Sequence, residues 1–80
     1  MKIKLSRHAG NNIKLYGIEE TDISKTIEFP DNIHRKGMKT VAIKEFGRRY
    51  SGYPLKVVYE KREEEMFVIT AYPLKKKLWR

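Results

Sequence analysis

The spacing of apolar residues changes at Pro30, and this change constrains the fold more than any other feature of the sequence. Before Pro30 the apolar residues recur every three or four positions, which is typical of helices with one buried face. After Pro30 they alternate with polar residues, which is typical of strands. Helices followed by strands predict an α+β domain, in which two N-terminal helices pack on one face of an antiparallel sheet of three or four strands.

The first elements have clear sequence boundaries. Ile3 to Leu5 predicts a short strand, and Ser6 is a good N-cap for the helix that follows, because its hydroxyl can accept an unpaired backbone N–H. We expect this helix to run from Arg7 to Tyr16. Gly17 ends it, since glycine adopts the left-handed conformation at low cost.

The second helix is predicted from a buried stripe of Ile23 and Ile27, four residues apart. Asp22 precedes this stripe in the first turn, where the positive end of the helix dipole stabilises a carboxylate. The strands after Pro30 are then predicted in four segments: Asn32 to His34, Thr40 to Phe46, Leu55 to Glu60 and Met66 to Tyr72. The segment from Gly47 to Gly52 is predicted to be a loop.

Several classes of protein are excluded or disfavoured by composition. The chain of 80 residues has room for a single domain, over residues 1–80, and it contains no cysteine for a disulfide, a thiolate zinc site or a nucleophile. Its two histidines, His8 and His34, lack the spacing of metal ligands, so we expect neither a metal nor a cofactor. No apolar run approaches the ~20 residues of a membrane span, and we expect a soluble, cytoplasmic protein.

The net charge of +8 is unevenly distributed. Basic and acidic residues cancel from Met1 to Ile33, so the whole excess follows Ile33. A one-sided excess of this kind is typical of proteins that bind nucleic acid, although lysine-rich surfaces also serve solubility or thermal stability.

Basic and aromatic residues are interleaved in this part of the chain. Arginine can grip a phosphate with two N–H donors, and aromatic rings can stack on unpaired bases. We therefore predict a nucleic-acid-binding surface made of Lys44, Arg48, Arg49, Tyr50, Lys56, Lys75, Lys76 and Lys77. The alternative is that the lysines are merely solvated; for Tyr59 we favour a place in the core.

His8 has two interpretations. As a general base for RNA cleavage it needs access to a ribose 2′-hydroxyl and a pKa near neutrality. As a structural residue it would bridge the first helix to the sheet through a paired ring nitrogen. The local sequence favours the structural interpretation.

Short motifs at both ends carry a resemblance to a known family. They are Leu5-Ser6-Arg7-His8-Ala9, Tyr16-Gly17-Ile18, Asp22-Ile23 and Pro30, and the closing run from Phe67 to Pro73. Together these motifs resemble a family of uncharacterised small domains that opens with Ser-x-His-Ala. That family is similar to the BrnT toxins and more loosely to RelE.

This resemblance implies a RelE-like fold and a metal-independent endoribonuclease in which the ribose 2′-hydroxyl attacks the neighbouring phosphate. It also implies a small antitoxin as the protein partner. His8 matches the opening motif, and Thr70 matches a serine of the BrnT pattern. The arginines of those families would fall at Asn12, Tyr16 and Tyr72, so this chain lacks all three.

Two hypotheses follow. In the first, the chain is a toxin-like endoribonuclease of weakened activity: Arg48, Arg49 and Lys75 neutralise the phosphate, Tyr72 or His8 handles protons, and Thr70 orients the substrate. In the second, the same surface is a non-catalytic module that binds RNA, DNA or a partner protein. The missing arginines favour the second hypothesis, and the charge distribution fits both. With the family resemblance taken into account, we place the endoribonuclease slightly ahead and keep the binding module as the alternative.

Overall fold

The fold is built around a five-stranded sheet. The computed structural model describes residues 2–75. Its strands lie in the order β1-β5-β4-β3-β2. In chain order the elements are β1 (Lys2–Leu5), α1 (Arg7–Tyr16), α2 (Glu20–Glu28), β2 (Asn32–Lys36), β3 (Lys39–Lys44), a 3₁₀ turn (Arg49–Gly52), β4 (Leu55–Arg62) and β5 (Glu65–Pro73).

The predicted ends of α1 are confirmed. The Ser6 hydroxyl accepts a hydrogen bond from Ala9 N at 3.0 Å, which satisfies one backbone N–H at the start of the helix. The same hydroxyl donates to Ile69 O at 2.6 Å, so the cap also ties α1 to β5. Gly17 ends the helix in the left-handed region, at φ 62°.

The prediction of helices packed on an antiparallel sheet is wrong, because the sheet is mixed. Strands β2 to β5 form an antiparallel meander, but β1 joins its edge parallel to β5, with Ile3 opposite Met66 and Leu5 opposite Val68. The helices also divide between strands: α1 lies chiefly against β5, and α2 lies against β3 and β4. Alternation identifies β1 as a strand but carries no information about its partner, which lies at the other end of the chain.

The core lies between the helices and one face of the sheet. Its members are Ala9 of α1, Ile18, Ile23 and Ile27 of the α2 region, and the inward row of the strands, Ala42, Leu55, Val57, Tyr59, Val68 and Ala71. Tyr59 is only 7% exposed, which confirms the core interpretation of this residue. No helix within residues 2–75 is long and apolar enough to cross a bilayer.

The opposite face of the sheet, which we call the open face, carries the alternate residues of the same strands; α1 borders it on the β5 side through Asn12 and Tyr16. Lys56 lies opposite Tyr72 and Val58 lies opposite Thr70. A bulge interrupts the β4–β5 register here, since Tyr59 pairs with Val68 and leaves Ile69 without a partner in β4. Ile69 is the residue whose carbonyl receives the Ser6 hydroxyl, so the bulge and the start of α1 are directly connected.

Candidate nucleic-acid interface

Most of the predicted site residues meet at one end of the sheet, where β3 and β5 end and β4 begins. The register places Lys44 opposite Leu55, and Leu55 opposite Pro73. Leu74 N donates to Pro54 O at 2.8 Å, which joins the segment after β5 to the loop before β4. The predicted residues Lys76 and Lys77 lie outside the described residues.

A cleft at this end opens beside the open face. Its volume is about 420 Å³, and we call it the Tyr72 cleft; it is lined by Tyr16, Lys56, Tyr72, Pro73, Leu74 and Lys75. The Lys56 ammonium lies 5.4 Å from the centroid of the Tyr72 ring, within the range of a cation–π contact. These lining residues thus offer two aromatic rings and two ammonium groups, and they include no carboxylate.

One side of α1 runs along β5 towards this cleft. Asn12 Nδ2 donates to Thr70 Oγ1 at 3.2 Å, and Tyr16 follows Asn12 by one helical turn. His8 precedes Asn12 by one turn, so a rise of 1.5 Å per residue puts His8 about 12 Å from Tyr16 along the helix. His8 is exposed and makes no side-chain hydrogen bond within residues 2–75, so the contact expected of a structural histidine is not found there.

A second group of predicted residues lies on the helix side of the sheet. Arg49 Nη2 lies 2.7 Å from Asp22 Oδ2 and 2.9 Å from Glu19 Oε2. The Tyr50 hydroxyl donates to Asp22 Oδ2 at 2.5 Å and accepts from Glu19 N at 3.3 Å. We call Glu19, Asp22, Arg49 and Tyr50 the Asp22 cluster. Burial raises the pKa of Tyr50, and the hydrogen bond to Asp22 raises it further, so the hydroxyl stays a donor.

The Asp22 cluster holds the loop before β4 in an unusual conformation. Tyr50 and the next residue, Ser51, both adopt the left-handed region, at φ 55° and 57°. This region costs a non-glycine residue roughly 1–2 kcal/mol. Asp22 is 1% exposed and has its carboxylate fully engaged by the loop, so the contacts of Arg49 and Tyr50 offset this strain.

Two of the predicted phosphate-binding cations are therefore occupied by the protein's own acceptors. Arg49 pairs with Asp22 and Glu19. Lys44 Nζ donates to Phe29 O at 2.9 Å and lies 3.9 Å from Asp31 Oδ1. Arg48 is exposed and forms no ion pair within residues 2–75. Among the predicted cations within residues 2–75, those left available near this end are Arg48 and the two lysines of the Tyr72 cleft.

The structural roles of Asp22 and Asn12 were not predicted from the sequence. For Asp22 a signal was present: the residue is adjacent to Ile23 and four positions before Thr26, inside the buried stripe of α2. On a helical wheel Asp22 falls on the same side as that stripe, which predicts that its side chain is buried. For Asn12 the sequence offered only a polar residue in mid-helix, which gives no indication of its partner on β5.

A family model described as "Domain of unknown function (DUF4258)" matches residues 5–73. No curated protein and no solved structure matches the chain. The family of uncharacterised small domains expected from the motifs is thus shown, whereas similarity to BrnT or RelE is not. Within residues 2–75 no three His, Asp or Glu side chains are grouped so that they could hold a metal ion.

Proposed function

We propose that the chain, which belongs to the DUF4258 family of domains of unknown function, is a binding module for single-stranded RNA. The observation that carries the proposal is the Tyr72 cleft, where two tyrosines and two lysines converge without a carboxylate among the lining residues. Aromatic rings on a sheet face bind unpaired bases by stacking, and nearby ammonium groups bind the phosphates that flank each base.

The position of Lys56 beside the ring of Tyr72 supports binding of a single strand rather than a duplex. Lys56 lies against the Tyr72 ring, so a base stacked on the exposed part of that ring has a cation beside it. Lys75 lies just beyond the end of β5, one residue from Leu74 of the same cleft. A paired base does not expose a free ring face to a side chain, whereas an unpaired base does. An RNA ligand also fits the cytoplasmic location expected from the sequence.

The test is fluorescence anisotropy with a short labelled single-stranded RNA, with the matching single-stranded DNA and the RNA duplex as further ligands. Tyr72→Leu should weaken RNA binding by roughly 5- to 150-fold, because base–aromatic stacking contributes about 1–3 kcal/mol per base. Tyr72→Phe keeps the ring and should retain most of the affinity. Lys56→Ala should lower the salt dependence of binding, by a slope of about 0.7 for one phosphate contact on a single strand.

Lys25→Ala is the matched control for Lys56→Ala. Lys25 is an exposed lysine of α2 outside the Tyr72 cleft, so its removal changes the net charge equally. Lys25→Ala should leave both the affinity and the salt slope close to those of the original protein. Equal losses in Lys25→Ala and Lys56→Ala would show that binding follows net charge alone, and this result would reject the cleft.

Metal-independent RNA cleavage at the same cleft is the second candidate function. The Asn12–Thr70 hydrogen bond favours it, because it sets one side of α1, with His8, along the strand that carries Thr70 and Tyr72. In this reaction the ribose 2′-hydroxyl attacks the adjacent phosphate, the 5′-oxygen leaves with a proton, and a 2′,3′-cyclic phosphate remains. A relation to BrnT or RelE toxins, with a small antitoxin as partner, belongs to this candidate.

Binding is the preferred function because the groups proposed for catalysis are spread out. His8 is not among the residues that line the cleft, and it lies about 12 Å along α1 from Tyr16, which does line it. None of the arginines within residues 2–75 lines the cleft. Tyr72→Arg should therefore increase any cleavage of a long single-stranded RNA in EDTA, with product ends mapped. Cleavage that EDTA abolishes would contradict the metal-independent mechanism. Salt-sensitive RNA binding without cleavage would reject the ribonuclease and keep the binding module.

A further inference from the structure

The strand β2 forms one edge of the sheet. It pairs with β3 on one side, and no strand within residues 2–75 pairs with its other side. All five residues of β2 are exposed. An edge strand presents unpaired backbone N–H and C=O groups along its free side, and these groups can pair with a further strand.

The side chains around this edge are basic and apolar. No acidic residue occurs from Asn32 to Lys44. Arg35, Lys36 and Lys39 form no ion pair within residues 2–75, in contrast to Lys44. Two large apolar side chains are exposed beside them, Ile33 at 52% and Met38 at 79%. The edge therefore combines unpaired backbone, uncompensated positive charge and apolar surface.

A shallow hollow adjoins the edge. It has a volume of about 390 Å³ and is lined by Arg35, Gly37, Met38, Thr40, Tyr59, Lys61 and Met66. The register explains this grouping, since Arg35 lies opposite Thr40, and Thr40 lies opposite Tyr59. The hollow lies where β3 begins, whereas the Tyr72 cleft lies where β3 ends. The two sites are therefore at opposite ends of the sheet.

We propose that β2 binds an acidic, extended segment of a partner protein, which adds to the sheet as a sixth strand. The backbone of the segment pairs with the free side of β2. Its carboxylates pair with Arg35, Lys36 and Lys39, and an apolar side chain enters the hollow beside Met38. This inference is independent of the proposed RNA binding, because it uses neither the Tyr72 cleft nor its lysines.

The charges select this occupant over the alternatives. Two copies of β2 side by side would oppose like charges, which is a known protection of edge strands against self-association. A nucleic acid would satisfy the cations, but its backbone has no amide N–H groups to pair with the carbonyls of the edge. An acidic peptide strand satisfies both the charges and the backbone.

The probe is a fluorescein-labelled peptide of alternating glutamate and valine. It should bind with a Kd below about 1 mM, and it should slow amide hydrogen exchange across Ile33–Lys36. A peptide of alternating glutamate and proline has the same charge but cannot pair as a strand. It should bind at least about tenfold more weakly and should leave the exchange of β2 unchanged, because charge attraction alone remains.

The double variant Arg35→Ser, Lys36→Ser should weaken binding of the glutamate–valine peptide by roughly 2- to 30-fold, as expected for two exposed ion pairs. The matched control is Lys14→Ser, Lys25→Ser, which removes two exposed lysines from the helices and should change binding by less than about twofold. Equal binding of the two peptides, or no slowing of exchange in β2, would overturn the proposal. So would slowing of β2 exchange by the labelled RNA, or a dimer of the free protein that the double variant disrupts.

Discussion

Replacing Asp22 by asparagine removes the charge on which the loop before β4 is anchored. The buried carboxylate receives the Tyr50 hydroxyl at 2.5 Å and the Arg49 guanidinium at 2.7 Å. Asparagine has nearly the same volume and keeps one oxygen acceptor. It loses the negative charge, however, and its amide NH₂ group, which can only donate, must face one of the donors of Arg49 or Tyr50.

The expected loss can be worked out from the two contacts. A hydrogen bond to a charged group contributes about 1.5–3 kcal/mol to stability, and we assign this value to the bond from the Tyr50 hydroxyl to Asp22. The Arg49 side chain is 47% exposed and keeps Glu19 at 2.9 Å, so its share is that of a surface pair, below about 1 kcal/mol. Asp22→Asn should therefore lower the free energy of unfolding by about 1.5–4 kcal/mol. For a domain of this size Tm should fall by at least about 6 °C.

Thermal and urea denaturation followed by circular dichroism measure this loss. Asp31→Asn is the control, because the Asp31 carboxylate is half-exposed and lies 3.9 Å from Lys44. The control should lose less than about 1 kcal/mol. If Asp22→Asn lost no more than Asp31→Asn, the Asp22 cluster would not hold the loop, and the account of the strained conformation at Tyr50 would be wrong.

Three further predictions concern stability. The raised pKa of Tyr50 means that the unfolded chain loses this proton first as the pH rises, so stability should fall above about pH 10; Tyr50→Phe should flatten this fall in urea midpoints measured across alkaline pH. Gly10→Ala should raise the free energy of unfolding by roughly 0.5–1 kcal/mol, since a Cβ meets open space within α1, whereas Gly17→Ala, at φ 62°, should lower it by about 1 kcal/mol. His8→Ala should change it by less than about 0.5 kcal/mol, because His8 is exposed; a larger loss in urea denaturation would show a contact for this side chain.

The parts of the fold that local sequence determines were predictable. Ser6 and Gly17 set the ends of α1 because a cap depends on a few neighbouring residues. The alternation of Leu55 to Glu60 predicted β4 because it reflects one buried face. The partner of β1 was not predictable in this way. Pairing between Leu5 and Val68 depends on how the whole intervening chain folds, and no short pattern records it.

The candidate site was predictable to a lesser degree. Sequence reasoning selected Lys56, Tyr72 and Lys75, which the fold brings into one cleft with Tyr16. It also selected Arg49, because the local sequence around an arginine in a basic loop is the same whether the guanidinium is free or paired with a distant carboxylate. The difference lies in Asp22, which is distant in sequence from Arg49 and reaches it only when α2 meets the loop.

The parallel pairing of β1 with β5 has a consequence for the order in which the chain can fold. Ser6 is bonded to Ile69 across 63 positions, so β1 is synthesised long before β5, the strand with which it pairs. Contacts of such long range form slowly, because the chain must first lose the entropy of closing a large loop, and only then do the contacts stabilise it. Until β5 is synthesised, α1 also lacks the strand against which it mainly lies. A nascent chain that stops before Glu65 therefore lacks the partner of β1, the strand against which α1 lies and one of the two neighbours of β4. It exposes the apolar side of α1 to the chaperones and proteases of the cell.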